Sequence, residues 1–386
     1  MKSANIDAIG ILSTLNKHKT NKLVKAFPYT KNEILKRVYR VELDGKLNDL
    51  ILDINKKHKS EISEIKRIPK TEKIQVYDPS DYMWTSHKDD WLWHLVKINA
   101  SKAWDITKGS WDTKIAILDS WFDINHPDLM NKISPHYDPY DLASYTTDCT
   151  ENNHGTAVAS FAAGETDGGG QLASIGFNCR IIAYQAHDGN YLERAHHASL
   201  AMNADVVTSS AGGWRCNNTL DDMERIAVKE ILDNGTIIVM PAGNGVKIVN
   251  DTDTTVSTRC RPTGSAIDRP WFPLSPLYDE RIIIVSSTDK NDNHIFKVDD
   301  TTKRIHSFYP EVDVCAPGYC LMGASCTEVD TCSSSTCCVT SGWPYYGCGT
   351  GTSFATPIVA GVCALMKTIN PNITPAEVQE IIKKNG

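Results

Sequence analysis

The sequence predicts an α/β fold, a three-layer sandwich in which helices cover both faces of a mostly parallel central sheet. Three features predict it: short apolar runs recur along the chain, small-residue helical patterns separate them, and a long apolar helix follows Thr352. The runs do not alternate with polar residues, which is typical of strands buried on both faces. They are residues 115–118, 181–184, 206–209, 237–240, 282–285 and 312–315.

Length and composition favour one large soluble domain with a smaller companion. Of the 386 residues, 41% are hydrophobic and 23% are charged, as in ordinary globular proteins. The chain is long for one small domain, so we place a first domain at residues 1–77 and a second at residues 78–386. No apolar run approaches the roughly 18 residues that cross a bilayer, so no membrane span is expected.

Charge is distributed unevenly between these two parts. Residues 1–77 carry 17 Lys and Arg against 9 Asp and Glu, a net charge of +8, and the remaining residues carry a net charge of −15. No basic motif with interleaved aromatic residues, the pattern that binds nucleic acid, occurs in the sequence. We therefore expect attraction between the two parts of the chain rather than a nucleic-acid partner.

All twelve cysteines lie between Cys149 and Cys363, and seven of them fall within residues 315–348. Their spacing lacks the paired C-x2-C ligands of zinc sites. The polar, Ser/Thr-rich stretch around them argues against free buried thiols, so a disulfide-stapled loop in an oxidising compartment is predicted. Residues 1–19 lack the compact apolar core of a signal peptide. The inference of secretion therefore depends on the cysteines.

The first domain is predicted to combine strands with a helix. Residues 37–43 alternate like a strand, residues 47–59 place apolar side chains at helical spacing, and residues 62–68 indicate a second strand. Residues 1–30 have no firm pattern. Residues 69–88 have the turn chemistry of a connector.

A serine stands where a loop becomes the long apolar helix. The stretch G-T-G-T-S-F-A-T-P, residues 349–357, leads into apolar residues that end near Asn370. This helix is apolar on every face, which predicts a buried core helix. Ser353 lies at its first turn, where unpaired N–H groups and the helix dipole stabilise developing negative charge. Pro357 fits this position because proline is tolerated only near a helix start.

Two further stretches place an acid and a base at the ends of predicted core elements. Asp119 ends the run K-I-A-I-L-D, and His154 opens the small-residue helix H-G-T-A-V-A. With Ser353 they supply a nucleophilic triad, in which the serine attacks, the histidine takes its proton and the aspartate orients the imidazole. Each residue alone has an ordinary alternative role, as a strand-end cap, a core histidine or a helix cap.

In these three motifs and their chain order, the sequence resembles the subtilisin-like serine proteases, the subtilase family. The resemblance covers about residues 91–386. It implies a secreted, monomeric serine endopeptidase that acts on protein or peptide substrates and needs no cofactor for its chemistry. Two alternatives stay open: a subtilisin-like peptide macrocyclase, which passes the acyl group to an amine, and a catalytically idle binding module.

The resemblance also implies an oxyanion hole and a substrate wall. The segment M-P-A-G-N-G, residues 240–245, is similar to the family's A-G-N segment. The Asn244 side-chain amide and the Ser353 backbone N–H would then bind the oxyanion. The alternative for Asn244 is a turn asparagine with positive φ. The substrate-binding residues implied by the resemblance are Ser210, Ala211, Gly212 and Gly243.

Asp128 lies where many relatives have a calcium ligand, so the resemblance implies a structural calcium there. Calcium needs oxygen ligands from a second loop. The glycine-rich candidate loop, residues 164–176, has Glu165 and Asp167 as its only carboxylates and does not match the family's ligand pattern closely. A turn cap is an equally good interpretation of Asp128. Two departures from the family pattern replace glycines, with Trp121 after the catalytic acid and Ser160 at the end of the histidine motif.

The pattern of residues 1–77 looks like the propeptide of many subtilases, a small α+β domain of ferredoxin-like type. Such propeptides assist folding and inhibit the enzyme until they are cut away. We therefore expect a self-processing zymogen whose own N-terminal domain is a partner, with the cut between Lys70 and Lys88. An unrelated α/β appendage is the alternative.

Overall fold

The protein is described by a computed structural model, in which the chain divides into two compact units, Met1–Lys73 and Ile74–Gly386. The predicted boundary after residue 77 stays a prediction. The residues that the structure describes are 8–25, 33, 35–43, 46–60, 62, 65, 77–134, 154–186, 190–210, 213–214, 222–244, 270–271, 279–294, 296–298, 303–305, 312–325 and 345–385.

The first unit contains two helices and an antiparallel strand pair. Its elements are α1 (Ala8–Lys17), β1 (Thr20–Lys25), a 3-10 turn (Leu35–Arg37), β2 (Tyr39–Leu43) and α2 (Leu47–Lys57). Leu15 of α1 packs against Leu50 and Ile54 of α2, which form the small core. The predicted strand at 37–43 and helix at 47–59 appear as β2 and α2. Residues 1–30 showed no firm sequence pattern, yet α1 and β1 lie there.

The second strand predicted for this unit does not appear within the described residues. Ile62 and Ile65 lie in irregular backbone, and the rest of that stretch is outside the described residues. Both isoleucines still pack against the small core. The strand predicted for residues 62–68 therefore stays a prediction, because most of it lies outside the described residues.

The second unit begins with three short helices and continues with alternating strands and helices. Its elements are α3 (Tyr82–His87), α4 (Trp93–Lys97), α5 (Ala100–Trp104), β3 (Lys114–Asp119), α6 (His154–Ala163), β4 (Arg180–Gln185), α7 (Tyr191–Leu200), β5 (Val206–Ser209), β6 (Gly213–Trp214), α8 (Asp222–Asp233), β7 (Ile237–Pro241), β8 (Pro270–Trp271), β9 (Ile283–Thr288), β10 (Phe296–Val298), β11 (Lys303–Ile305), β12 (Val314–Pro317), β13 (Leu321–Ala324), β14 (Tyr346–Gly349), α9 (Thr352–Ile369) and α10 (Pro375–Asn385).

Six strands form the central sheet in the order β12-β9-β7-β5-β3-β4. Every neighbouring pair in it is parallel. Each of the six predicted apolar runs overlaps one strand of this sheet, which confirms the predicted α/β class. The other described pairs, β6 with β8, β10 with β11 and β13 with β14, are small antiparallel additions.

Alternate residues of each central strand point to opposite faces, and both faces are covered. In β3, Ile115 and Ile117 belong to the core that contains α6 and α9. Ala116 and Leu118 belong to the core on the other face, with residues of α7 and α8. The layers are therefore helix, sheet and helix, as predicted.

Helix α9 is the predicted buried core helix. By length and composition it could also cross a membrane, but 67% of it is buried inside the fold. Its small residues allow close packing, because a Cβ at Gly361 would lie 2.4 Å from Ile175 and 2.6 Å from the Ala162 carbonyl. This helix belongs to the core of the second unit.

The cysteines that the structure describes divide into two classes. Cys320 and Cys348, which border the cysteine-rich stretch, each take part in a disulfide bond. Cys179, Cys315 and Cys363 are free, and the first and last of them are fully buried. Burial raises the pKa of Cys363 to about 12, so its thiol stays protonated at neutral pH.

The sheet topology brings the predicted site residues to one edge. The chain runs from β3 to β4 on one side and then to β5 on the other, so β3 lies at a topological switch point. Asp119 is the last residue of β3, Ser210 follows β5 and Asn244 follows β7. Since these strands are parallel, their carboxyl ends lie side by side.

Candidate active site

Asp119 and His154 form a hydrogen-bonded pair at this edge. The imidazole Nδ1 lies 2.7 Å from Oδ1 of Asp119, which also accepts the N–H and hydroxyl of Ser120 at 2.7 and 3.2 Å. Oδ2 of Asp119 is buried and has no hydrogen-bond partner among the described residues. Only 1% of the Asp119 side chain is exposed, so water screens the attraction between its charge and the imidazole very little.

The environment of His154 favours its protonated form. Desolvation lowers its proton affinity, but the charge of Asp119 and the hydrogen bond to it outweigh that effect and raise the pKa of His154 above its ordinary value. The imidazole side chain is still 28% exposed, so a substrate can reach it. An imidazole with this partner is suited to accept a proton during a reaction and to hold it briefly.

Close backbone contact fixes where α6 begins relative to Asp119. A Cβ added at Gly155 would lie 2.6 Å from the Ser120 carbonyl oxygen and 2.8 Å from that of Trp121. Only glycine fits this approach without displacing the turn that follows Asp119. His154, one residue earlier, is thereby held against the carboxylate.

Ser353 occupies the first turn of α9, as predicted. Its hydroxyl donates to the backbone carbonyl of Ser210 at 3.2 Å, and the Ser210 hydroxyl donates in return to the Ser353 carbonyl at 2.9 Å. The second bond has a clear cause: Pro357 has no N–H to give to the Ser353 carbonyl, so Ser210 supplies the missing donor. The expected hydrogen bond from the Ser353 hydroxyl to His154 stays a prediction, because it requires the hydroxyl to turn away from Ser210.

Asn244 lies beside the start of α9. Its side-chain carbonyl accepts the backbone N–H of Thr352 at 2.9 Å and the Thr352 hydroxyl at 3.1 Å. These donors fix which end of the amide is oxygen, and they leave Nδ2 to donate elsewhere. Nδ2 would lie 3.1 Å from a Cβ placed on Gly351. The side-chain N–H donor is therefore next to the loop that carries Ser353.

The positive φ in this turn falls on Gly243, at 96°, and not on Asn244. The structure therefore argues against the alternative in which Asn244 serves as a turn residue with positive φ. The glycine makes the turn, and the asparagine side chain is free to serve as an oriented donor.

Replacing Asn244 with alanine is expected to lower kcat by about 10²–10³ with little change in KM, because its amide would act on the oxyanion of the transition state. Steady-state kinetics on a peptide substrate measure both constants. Asn234→Ala is the matched control, since the side-chain amide of this asparagine donates to the carbonyl and hydroxyl of Ser199, both at 3.2 Å, and Asn234 precedes β7 whereas Asn244 follows it. A loss of equal size in the control, or a change confined to KM, would contradict the assignment.

Phe354 contacts the imidazole, and sequence reasoning missed it. Its ring centroid lies 5.4 Å from that of His154 and 5.5 Å from that of Phe161. A Cβ on Gly349 would come within 2.4 Å of the Phe354 ring, so the strand before α9 leaves room for it. The position directly after the predicted nucleophile was the available signal, because that side chain must lie beside the catalytic groups.

The substrate wall is only partly described. Ser210 is buried and bonded to Ser353, whereas Ala211 and Gly212 lie outside the described residues. Just beyond them, Gly213 pairs with Trp271 and Trp214 with Pro270. The role of Ser210 in holding the Ser353 carbonyl was not predicted, although Pro357 in the sequence signals a carbonyl without a helical partner.

Ser160, which departs from the family pattern, is buried and has both a donor and an acceptor role. Its hydroxyl donates to the Ala157 carbonyl at 2.8 Å and accepts the N–H of Ala324 at 3.0 Å. A serine at this position therefore ties α6 to β13.

The residues around Asp128 do not fit a calcium site. Calcium would need the carboxylate's lone pairs, but Oδ1 accepts the N–H groups of Gln171 and Leu172 and Oδ2 accepts the Tyr346 hydroxyl. Within the described residues, no group of three or more His, Cys, Asp or Glu could hold a metal ion.

Comparison with known proteins places this geometry in context. The sequence profile of the subtilase family, Peptidase_S8, matches residues 110–386. Thermitase from Thermoactinomyces vulgaris is 31% identical over 297 residues, which are 75% of this chain and 85% of thermitase. The minor extracellular protease Epr of Bacillus subtilis (strain 168) is 25% identical over 305 residues, which are 76% of this chain but 38% of Epr.

A solved structure shows the same fold. The crystal structure of MycP1 with the N-terminal propeptide removed aligns with a TM-score of 0.55 at 20% identity, and covers 75% of this chain and 87% of that chain. At this identity the likeness concerns the arrangement of the helices and strands.

Proposed function

Because the chain belongs to the subtilase family of serine endopeptidases, we propose that it hydrolyses peptide bonds with Ser353 as nucleophile, His154 as general base and Asp119 as its orienting carboxylate. The observation that carries the proposal is the 2.7 Å bond between Asp119 and His154 at the sheet edge beside the first turn of α9. Like other subtilases, the enzyme needs no cofactor for this chemistry.

The first step is attack on the scissile carbonyl. The Ser353 hydroxyl leaves the Ser210 carbonyl, turns to Nε2 of His154 and transfers its proton there as the Ser353 oxygen bonds to the substrate carbon. The Ser210 carbonyl is then available to accept an N–H of the substrate, since backbone groups at a strand end can pair with an extended peptide. Substrate binding and release of the nucleophile are thereby coupled.

The negative charge that forms on the substrate oxygen is stabilised by two donors, Nδ2 of Asn244 and the backbone N–H of Ser353. The imidazolium of His154, held by Asp119, returns its proton to the leaving amine. Water then enters, and His154 acts as base again to hydrolyse the acyl-enzyme. Ser210, Ala211, Gly212 and Gly243 are proposed to line the cleft for substrate.

Secretion and zymogen processing complete the proposal. Epr, a similar protein, is by its name extracellular, and the disulfide-bonded Cys320 and Cys348 fit an oxidising compartment. MycP1 has an N-terminal propeptide, and in this chain the compact unit Met1–Lys73 likewise comes first in the sequence, which supports the proposal. We propose that this unit inhibits the enzyme until it is cut away between Lys70 and Lys88.

The direct test is labelling with a fluorophosphonate, which reacts with an activated serine. We expect one equivalent of label, located by mass spectrometry on the peptide that contains Ser353, and linear hydrolysed products from a peptide substrate. Labelling of another serine would reject the proposed nucleophile. Cyclised or aminolysed products would instead identify a transferase of the same fold.

A further inference from the structure

The buried carboxylate of Asp128 is surrounded by hydrogen-bond donors. Its side chain is fully buried, and Oδ1 accepts the backbone N–H groups of Gln171 and Leu172 at 3.0 and 3.1 Å. Oδ2 accepts the Tyr346 hydroxyl at 2.6 Å. Burial raises the pKa of this carboxyl group, and its hydrogen-bond donors and the nearby His126 oppose that rise because they stabilise the anion.

The polarity of the glycine-rich loop, residues 164–176, is the opposite of what a cation needs. A calcium loop turns carbonyl oxygens toward the ion. This loop turns N–H groups inward: besides the two that bind Asp128, the N–H of Asp167 donates to both oxygens of buried Asp81, at 3.1 and 3.0 Å. A Cβ on Gly170 would lie 1.9 Å from Oδ1 of Asp128, so backbone fills the space beside that oxygen.

The same network joins the turn after Asp119 to the strand before Ser353. The buried His126 ring accepts the Asp128 N–H at Nδ1, at 3.0 Å, which requires that Nε2 donate to the Tyr345 carbonyl, 2.8 Å away. The His126 and Tyr346 rings pack edge to face at 5.1 Å. Tyr346 begins β14, and β14 leads into α9.

We propose that Asp128, His126, Tyr346 and the inward N–H groups of the glycine-rich loop form a metal-independent clasp, in place of the calcium site that relatives have at this position. We name these groups the Asp128 clasp. In the Asp128 clasp, the Tyr346 hydroxyl donates to Oδ2 of Asp128, an oxygen that a calcium ion would otherwise bind. The clasp holds the segments that carry Asp119 and Ser353 at a fixed separation.

Thermal unfolding of the full-length protein tests the clasp, in a Ser353→Ala background so that self-digestion does not move the midpoint. We expect the same midpoint in EDTA and in millimolar calcium. Tyr346→Phe is expected to lower the midpoint by about 3–6 °C in both solutions, because it removes one bond to a buried charge. Tyr345→Phe is the matched control, since the structure records no hydrogen bond of that hydroxyl among the described residues, and it should leave the midpoint unchanged.

Two results would overturn the clasp. One is a calcium-induced rise in the midpoint that Asp128→Asn abolishes, because it would place the ion on this carboxylate. The other is a Tyr346→Phe midpoint equal to that of the Tyr345→Phe control. A calcium-induced rise that persists in Asp128→Asn supports the clasp, since calcium would then bind elsewhere. If Asp128→Asn fails to fold, the EDTA comparison and the two tyrosine variants still decide.

Discussion

Replacing Ser353 with alanine is expected to lower kcat on a peptide substrate by roughly 10⁶, the loss typical when the nucleophile of this protease family is removed. The hydroxyl forms the covalent bond to substrate, and the neighbouring Thr352 hydroxyl is not expected to replace it. The Thr352 hydroxyl is already bonded to Asn244 at 3.1 Å. A residual rate is expected, because Asn244 and substrate binding still stabilise the transition state. Steady-state kinetics, with both enzyme concentrations determined by absorbance, measures the loss.

The same variant tests self-processing. Ser353→Ala should remain full length on purification, whereas the wild-type chain should be cut between Lys70 and Lys88, as judged by intact mass. Ser174→Ala is the control: this buried serine donates to the Phe161 carbonyl at 3.0 Å, so its loss should affect stability and not cutting. Equal cutting of wild type and Ser353→Ala would show that another protease processes the chain.

Asp119→Asn is expected to lower kcat by about 10⁴, because an amide no longer fixes the imidazole tautomer or stabilises the imidazolium. The pH profile should change as well. His154 works as a base only when neutral, so activity is present above its pKa and is lost as the pH falls through it. In wild type the charge of Asp119 raises the pKa of His154. In Asp119→Asn this charge is absent, so burial of the imidazole lowers the pKa of His154 without opposition. The acid limb of kcat/KM should therefore shift to lower pH in the variant.

Ser120→Ala provides the comparison for Asp119→Asn. Its hydroxyl is 3.2 Å from Oδ1 of Asp119, and the shorter bond, from the Ser120 backbone N–H at 2.7 Å, survives the substitution. We expect a change of less than about tenfold, since a long hydrogen bond contributes about 1 kcal/mol and the shorter backbone bond to the same oxygen is kept. An acid limb that stays in place in Asp119→Asn would show that the pH dependence arises from another group.

The sequence was most informative where burial and periodicity agree. Five of the six central strands were predictable because each is an apolar run buried on both faces, and Asp119 could be placed because it ends one of them. Helix α9 could be predicted for the same reason. Helix α1 could not, because its residues 8–17 mix apolar and polar side chains, and only packing of Leu15 against the other helix identifies its buried side.

The contacts of the candidate site depend on three-dimensional neighbours that the sequence does not display. Nothing near Tyr346 in the chain indicates that its hydroxyl reaches Asp128, and the implied calcium site came from resemblance alone. The reciprocal bonds between Ser210 and Ser353 likewise join residues from different strands and helices. Pro357 indicated that one carbonyl would need an outside donor, but not which side chain would supply it.

Two free thiols among the described residues are fully buried, and their rate of alkylation can measure opening of the fold. Cys179 and Cys363 are fully enclosed on the sheet face that also carries α9, and Cys363 lies within that helix. A bulky alkylating reagent can reach them only after this layer opens, so the rate at which they become modified reports the opening of the scaffold under the proposed nucleophile rather than events at the surface. The rate of alkylation therefore measures opening of the enzyme's core without an added dye.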